Sequence, residues 1–271
     1  MVDHFRTLIA ALLLATLWPV TILAGTPAKT APPTDPVQDP AMLAAGFLGS
    51  HPDLRYRMLG MEKYKQKQYD QALQYFQRAS YYADKPSQGM VGEMLWNGQG
   101  GEQDRALAYA WMDLAAERGY IGFLGLRERY WEQLSDIERK RALDEGQAIY
   151  AKYGDDAAKP RIARTLRRER RTATGSRTGF VGNLTIIAPG PDGSYQSIDG
   201  SKYYDERYWD PEQYQAWHDS IWMRPRIGLV RVGEIEPASK VDSRVPPTPS
   251  QVDAEEPHTP EPDPVEGPAR R

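Results

Sequence analysis

The chain has no cysteine in 271 residues. That excludes disulfides, thiolate metal sites and a cysteine nucleophile. Histidine is nearly as scarce: the four occur at positions 4, 51, 218 and 258. None is a sequence neighbour of another, so a histidine-built metal site is not expected. No P-loop, Rossmann glycine pattern or zinc motif occurs. A calcium loop would need oxygen ligands at alternate positions, and the Asp192-Gly193 and Asp199-Gly200 pairs read as turns. Net charge is only −3, which forbids little. What the chain has in quantity is proline, 22 residues, with a mean hydropathy of −0.66. That is wetter than one compact domain and implies unfolded segments.

The most structured stretch is residues 87–120. Met90, Met94 and Leu95 lie on a first predicted helix. Asn97 to Gly101 forces a turn, because glycine tolerates positive φ. A second helix sets Ala108, Trp111, Ala115 and Ala116 on one stripe and stops at Gly119. Small alanines let a neighbouring helix approach while Trp111 fills the gap. A shift of 36 residues towards the N-terminus sets Ala108 on Ala72, Trp111 on Tyr75, Ala115 on Ala79 and Met94-Leu95 on Met58-Leu59. The same shift the other way sets Ala115 on Ala151, Leu107 on Leu143 and Met94-Leu95 on Tyr130-Trp131. Three units in one register describe a short helical solenoid.

The stretch LWNGQGGEQDRALAYAWMDLAAERG resembles the Sel-one-like repeat, a relative of the tetratricopeptide repeat. Gly98, Gly100, Asp104, Ala108, Trp111, Ala115, Ala116, Glu117 and Gly119 match that family's pattern. The first unit is more similar to an ordinary tetratricopeptide unit, with Leu59, Gly60, Ala72, Phe76 and Ala79 at its offsets. The third lacks the glycine turn and the paired alanines, as a terminal cap would. The resemblance covers about residues 53–153 and implies protein–protein interaction.

Residues 1–24 have the pattern of a secretory signal: Arg6, an apolar stretch from Leu8 to Leu17, and Ile22-Leu23-Ala24 before cleavage. Residues 25–52 are a proline-rich linker followed by a short apolar helix at 41–50 that packs on the first face of the solenoid. Residues 53–154 are the solenoid. In it, Ser135 to Glu138 forms a capping box and Gly154 stops the last helix.

Residues 155–177 are a basic linker or helix. Arg161, Arg164, Arg167, Arg168, Arg170 and Arg171 point to several faces. They either bind an anion or hold the acidic remainder of the chain. Nucleic acid is not an expected partner for an exported protein. Residues 178–236 form a small α+β module: a hairpin using Phe180, Leu184, Ile186 and Ile187, a helix at 211–223 capped by Asp210, and a final strand at 227–236. Residues 237–271, with nine prolines and seven acidic residues, are expected to be disordered.

Tyr195, Tyr203, Tyr204, Tyr208, Trp209, Tyr214, Trp217 and Trp222 crowd into 28 residues. They read either as the core of the small module or as a stacking platform for a glycan such as peptidoglycan, with Tyr204, Trp209 and Trp217 as its contacts. Glycoside hydrolysis needs two carboxylates at a set separation. Asp199, Asp205, Glu206 and Asp210 offer carboxylates without a motif to place them, and His218 looks exposed.

The expectation is therefore a mainly α protein: a short α-α solenoid followed by an α+β module and disordered tails. It has no cofactor, no metal, no catalytic residues and no stable membrane span after signal cleavage. It is expected in the periplasm or secreted, as a non-enzymatic scaffold for a protein partner, with envelope glycan binding as the alternative. Tyr56, Lys63, Glu93, Asn97 and Arg127 are the surface positions expected to contact that partner.

Overall fold

A computed structural model describes residues 36–174, 184–190, 193–223 and 243–259. The expected signal at 1–24, Phe180, the expected strand at 227–236 and the last residues of the tail lie outside the described residues. The protein is mainly helical, with a small two-stranded sheet.

Three helix pairs form the solenoid: α2 (Pro52–Lys65) with α3 (Tyr69–Ser80) and α4 (Lys85–Asn97) with α5 (Arg105–Ala115) are antiparallel hairpins, and the third, α6 (Ile121–Gln133) with α7 (Asp136–Tyr153), is an open hairpin whose two helices both pack on α5 rather than on each other. The 36-residue register holds in space. Ala72, Ala79, Ala108 and Ala115 are fully buried, as is Ala116, and Tyr75 and Trp111 occupy equivalent buried positions. Between hairpins, Trp96 stacks on Tyr130 with ring centroids 3.9 Å apart.

The glycine turn has two separate causes. Gly98 ends α4 at φ 66°, donating to Met94 and Leu95 carbonyls, a left-handed cap open to glycine. Gly100 has φ 87°, and a Cβ there would also stand 2.6 Å from the Tyr69 carbonyl oxygen. The turn of the second hairpin thus rests against the backbone of the first. In the first hairpin Gly60 admits the Phe76 ring, which a Cβ would meet at 2.7 Å. In the third, the Ser135–Glu138 capping box replaces the glycine turn, with both of its reciprocal bonds formed. Gly119 closes the end of the second hairpin at φ 73°.

Residues 155–177 are not a linker over most of their length. Helix α8 (Asp155–Thr174) starts directly after Gly154. It buries Ala157, Ala158, Ile162 and Leu166. Its arginines are sorted by the helix: Arg164, Arg167, Arg168 and Arg171 are exposed, whereas Arg161 is buried and Arg170 faces Glu206 at 3.7 Å.

The α+β module is built from β1 (Thr185–Pro189), β2 (Tyr195–Asp199), α9 (Gly200–Tyr203), α10 (Glu206–Trp209) and α11 (Pro211–Trp222). The strands pair antiparallel with Ile187 opposite Ser197. Asp210 caps α11 through the Glu212 and Gln213 N–H groups. The module shares one continuous apolar cluster with Met42 of α1 (Pro40–Ala44), Phe47, Leu54 and the buried side of α8. The apolar residues at 41–50 therefore pack into the core of the module as much as against the first hairpin.

So short a solenoid is expected to need the module, or a partner, to close its last exposed face. Instead α11 braces the starts of the hairpins. Tyr214 donates to Asp53 on α2 at 2.6 Å. Asp219 accepts from the Tyr120 hydroxyl ahead of α6 at 2.5 Å. Trp222 stacks on Phe123 of α6.

Beside this brace lies a buried ionic junction. Lys85 Nζ is fully buried and reaches Glu117 at 2.5 Å and Asp155 at 3.2 Å, while Arg118 Nε and Nη2 grip Asp155 at 2.7 and 2.8 Å. Burial alone would push the Asp155 carboxyl up. The Lys85 and Arg118 charges reverse this and hold it well below the usual carboxylate range. A depressed folded-state pKa contributes stability that is present above about pH 4 and is lost as pH falls below it. The urea midpoint should therefore drop between pH 5 and pH 3, and drop less in Asp155→Asn; equal drops in the two proteins would remove Asp155 as the cause.

Candidate peptide-binding face

The proline-rich tail was expected to be disordered. Residues 243–259 carry neither helix nor strand, as their composition predicts. They are nevertheless held as a strap, with one turn where the Ala254 N–H donates to the Gln251 carbonyl. The strap starts on α5, α6 and α7, passes α8 and ends on α3.

Its start is an ionic and apolar anchor. Ser243 Oγ donates to Asp113 Oδ2 of α5 at 2.5 Å. Arg244 bonds both oxygens of Glu128 on α6, at 3.1 and 2.6 Å, and the Tyr109 hydroxyl at 3.1 Å. Its guanidinium also lies 5.0 Å from the Trp131 ring centre, within cation–π range. Val245 is buried where Gly146 of α7 and Ala110 of α5 leave room. A Cβ on Gly146 would stand 2.8 Å from Val245 Cγ2. Asp113 is itself fully buried, which pushes its carboxyl up; bonds from Ser243 and Tyr150 and the Arg127 charge act against that.

In the middle, the grip is on the main chain. Arg161 of α8 donates Nε to the Val252 carbonyl at 2.7 Å and Nη2 to the Gln251 carbonyl. The same guanidinium lies over the Tyr81 ring at 4.0 Å and bonds the Lys152 carbonyl, so its plane is fixed. Tyr81 donates its hydroxyl to the Ala254 carbonyl. The Gln251 N–H donates to the Ala151 carbonyl at 2.5 Å. Arg164 adds a pair with Asp253 at 3.3 Å.

The far anchor is a carboxylate. Glu256 accepts from Arg78 Nε at 2.7 Å and from the Tyr82 hydroxyl at 2.6 Å. Burial and the Glu256 carboxylate together push the Tyr82 hydroxyl far up its scale, so it donates at every working pH.

The residues singled out from sequence fall elsewhere. Tyr204, Trp209 and Trp217 were the contacts of the glycan reading. They are 9%, 1% and 3% exposed: Trp209 packs against Tyr204, Phe47 and His51, and Trp217 against Tyr208, Tyr214 and His218. They belong to the core, not to an open platform. Asp199, Asp205 and Asp210 are helix caps. His218 is buried rather than exposed, with Nε2 3.5 Å from Asp53 Oδ2. Of the proposed partner contacts, Glu93 and Asn97 are exposed and Lys63 is half-buried. Tyr56 and Arg127 are corrected to buried: Tyr56 stacks on Tyr75, and Arg127 pairs with Asp113 and Glu128.

One pair of the strap, Arg164 with Asp253, matches the reading in which arginines of residues 155–177 hold the acidic remainder of the chain. Arg161 holds main-chain carbonyls instead, and the Arg244 and Glu256 anchors were not expected. The available signal was Arg244-Val245, a cation and a β-branched residue standing ahead of prolines in an otherwise acidic tail.

Among the described residues, no three His, Asp or Glu side chains gather as a metal would require. No helix among them is long and apolar enough to cross a membrane. Compared with protein-family models, with curated proteins and with solved structures, the chain finds no match in any of the three.

Proposed function

We propose that the chain is a non-enzymatic scaffold whose stacked helical hairpins mediate protein–protein interaction in the bacterial envelope. The observation that carries this reading is the side-chain grip on the main chain of a turn, closed by the Ala254 N–H on the Gln251 carbonyl at 3.1 Å. Arg161 and Tyr81 donate to three successive or near-successive main-chain carbonyls, at Gln251, Val252 and Ala254. A surface that holds a peptide by its carbonyls can hold another peptide in the same way. The resemblance to Sel-one-like repeats points in the same direction, and the sequence pattern of residues 1–24 supports export. The glycan alternative has no comparable support, because its three aromatic contacts are buried.

The test sets protein against glycan. The purified chain, mixed with peptidoglycan sacculi and sedimented, is expected to stay in the supernatant. Crosslinked in the native envelope, it is expected to yield a specific protein adduct. Retention on sacculi with no protein adduct would contradict the scaffold reading, as would release of soluble fragments from labelled sacculi.

A further inference from the structure

We infer that the partner's contacting element is itself a proline-containing segment of the strap's chemistry, and that residues 243–259 are its tethered competitor. This rests on the scaffold reading and specifies its ligand.

Three features of the strap define that ligand. The first is a cation followed by a small branched apolar residue. Arg244 fills the fork of Glu128 beneath Tyr109, and Val245 fills the gap over Gly146. The second is a central run read through its carbonyls. The face accepts one strap N–H in this run, from Gln251, and donates to the Gln251, Val252 and Ala254 carbonyls, so prolines, which lack an N–H but keep a carbonyl, fit at the positions before it. Pro246, Pro247 and Pro249 stand between the first anchor and the carbonyl-reading pair. The third is a carboxylate twelve positions after the cation, as Glu256 is after Arg244. At about 3.3 Å per residue these anchors are at most about 40 Å apart, and they run from Glu128 on α6 to Arg78 on α3.

The strap has the marks of an occupant that can leave. Val245 is its one buried residue; the rest of 243–259 is exposed or half-buried. Its exposed pair, Arg164 with Asp253, contributes little, whereas the bonds to buried Asp113 and Arg161 are the ones a ligand must replace. Segments with few buried apolar contacts open at low cost. Under it lie Ala110 of α5 and Gly146 and Ala151 of α7, helices that also pack directly on each other. A ligand in solution then competes with a tethered one. If the strap is seated nine-tenths of the time, the apparent Kd of the ligand rises about tenfold.

The experiment uses the full chain and a fluorescein-labelled synthetic peptide of residues 243–259. Arg244→Glu in the chain sets a carboxylate against Glu128 and unseats the strap without touching a helix. Circular dichroism should show its helices unchanged. This variant is expected to bind the peptide saturably and about tenfold or more tightly than the unsubstituted chain does. Adding Glu128→Arg re-forms the pair with reversed sign, and a 243–259 peptide carrying Arg244→Glu, which matches the altered site, should then bind only at the weak level; tight binding of that peptide would overturn the inference. A peptide with Glu256→Lys should bind the open variant more weakly. Equal binding by the open and unsubstituted chains, or no binding by the open variant, would overturn the inference. Dimers formed through exchanged straps would also overturn it, by assigning the face to a second copy. If the open variant fails to bind while a protein adduct still forms in the envelope, the inference falls and the scaffold reading stands.

Discussion

Trp209→Ala should lower unfolding stability by about 3–5 kcal/mol, the usual loss for truncating a large buried ring. Trp209 is 1% exposed. Its indole N–H donates to the Tyr203 carbonyl at 2.7 Å. The rings of Phe47, His51, Tyr203 and Tyr204 surround it at centroid distances between 4.9 and 6.3 Å. Alanine would leave a cavity that these rigid rings cannot collapse into, and would leave the Tyr203 carbonyl without its donor. His51 adds to the cost. Its two nitrogens are fixed 2.8 Å from the Phe47 and Tyr208 carbonyls, so the ring cannot swing into the gap. Urea titration followed by circular dichroism measures the change. A loss below about 1 kcal/mol would mean that the aromatic cluster is not a core, and would reopen its use as a binding surface.

Trp111→Ala should cost a similar amount, about 3–5 kcal/mol, and for a different structural reason. Trp111 packs in the cluster that joins Ala72 and Phe76 of the first hairpin to Ile149 and Tyr153 of the third. Its ring lies 4.7 Å from that of Tyr153. Removing it disconnects neighbouring hairpins that have no independent core, so the loss should appear as one cooperative transition at lower urea. Trp111→Phe should recover much of the stability. A change below about 1 kcal/mol would show that the hairpins are held together elsewhere, for instance by α11.

The hairpins were readable from the sequence because their causes are local. Gly98 and Gly100 mark a turn, Ser135 and Glu138 mark a helix start, and Ala72, Ala108 and their equivalents repeat every 36 residues. The start of α11 was readable for the same reason, through Asp210 and Pro211. What escaped the reading depends on partners far away in the chain. Tyr214 and Asp53 are 161 residues apart, and no spacing rule joins them. Arg127 stands on the first helix of its unit, where exposed contact residues are expected. It is buried because Asp113 and Glu128 meet it. The arginines of α8 looked evenly spread around a helix until the apolar cluster fixed which side faces inward. Residues 243–259 carry no periodicity at all. Their order comes from arginines and tyrosines on other elements, which a composition-based reading of the tail cannot register.

The absence of cysteine makes one measurement unusually clean. Gly146→Cys with Val245→Cys introduces the only two thiols of the chain, at positions whose side chains meet across the strap and α7. A disulfide there needs Cβ atoms about 3.5–4.5 Å apart. Binding of the labelled 243–259 peptide is then measured on the same protein, oxidised and reduced. The account predicts that oxidation locks the strap and abolishes binding, and that reduction restores it. Unchanged affinity in the two states would show that the face beneath the strap is not where this protein takes its partner.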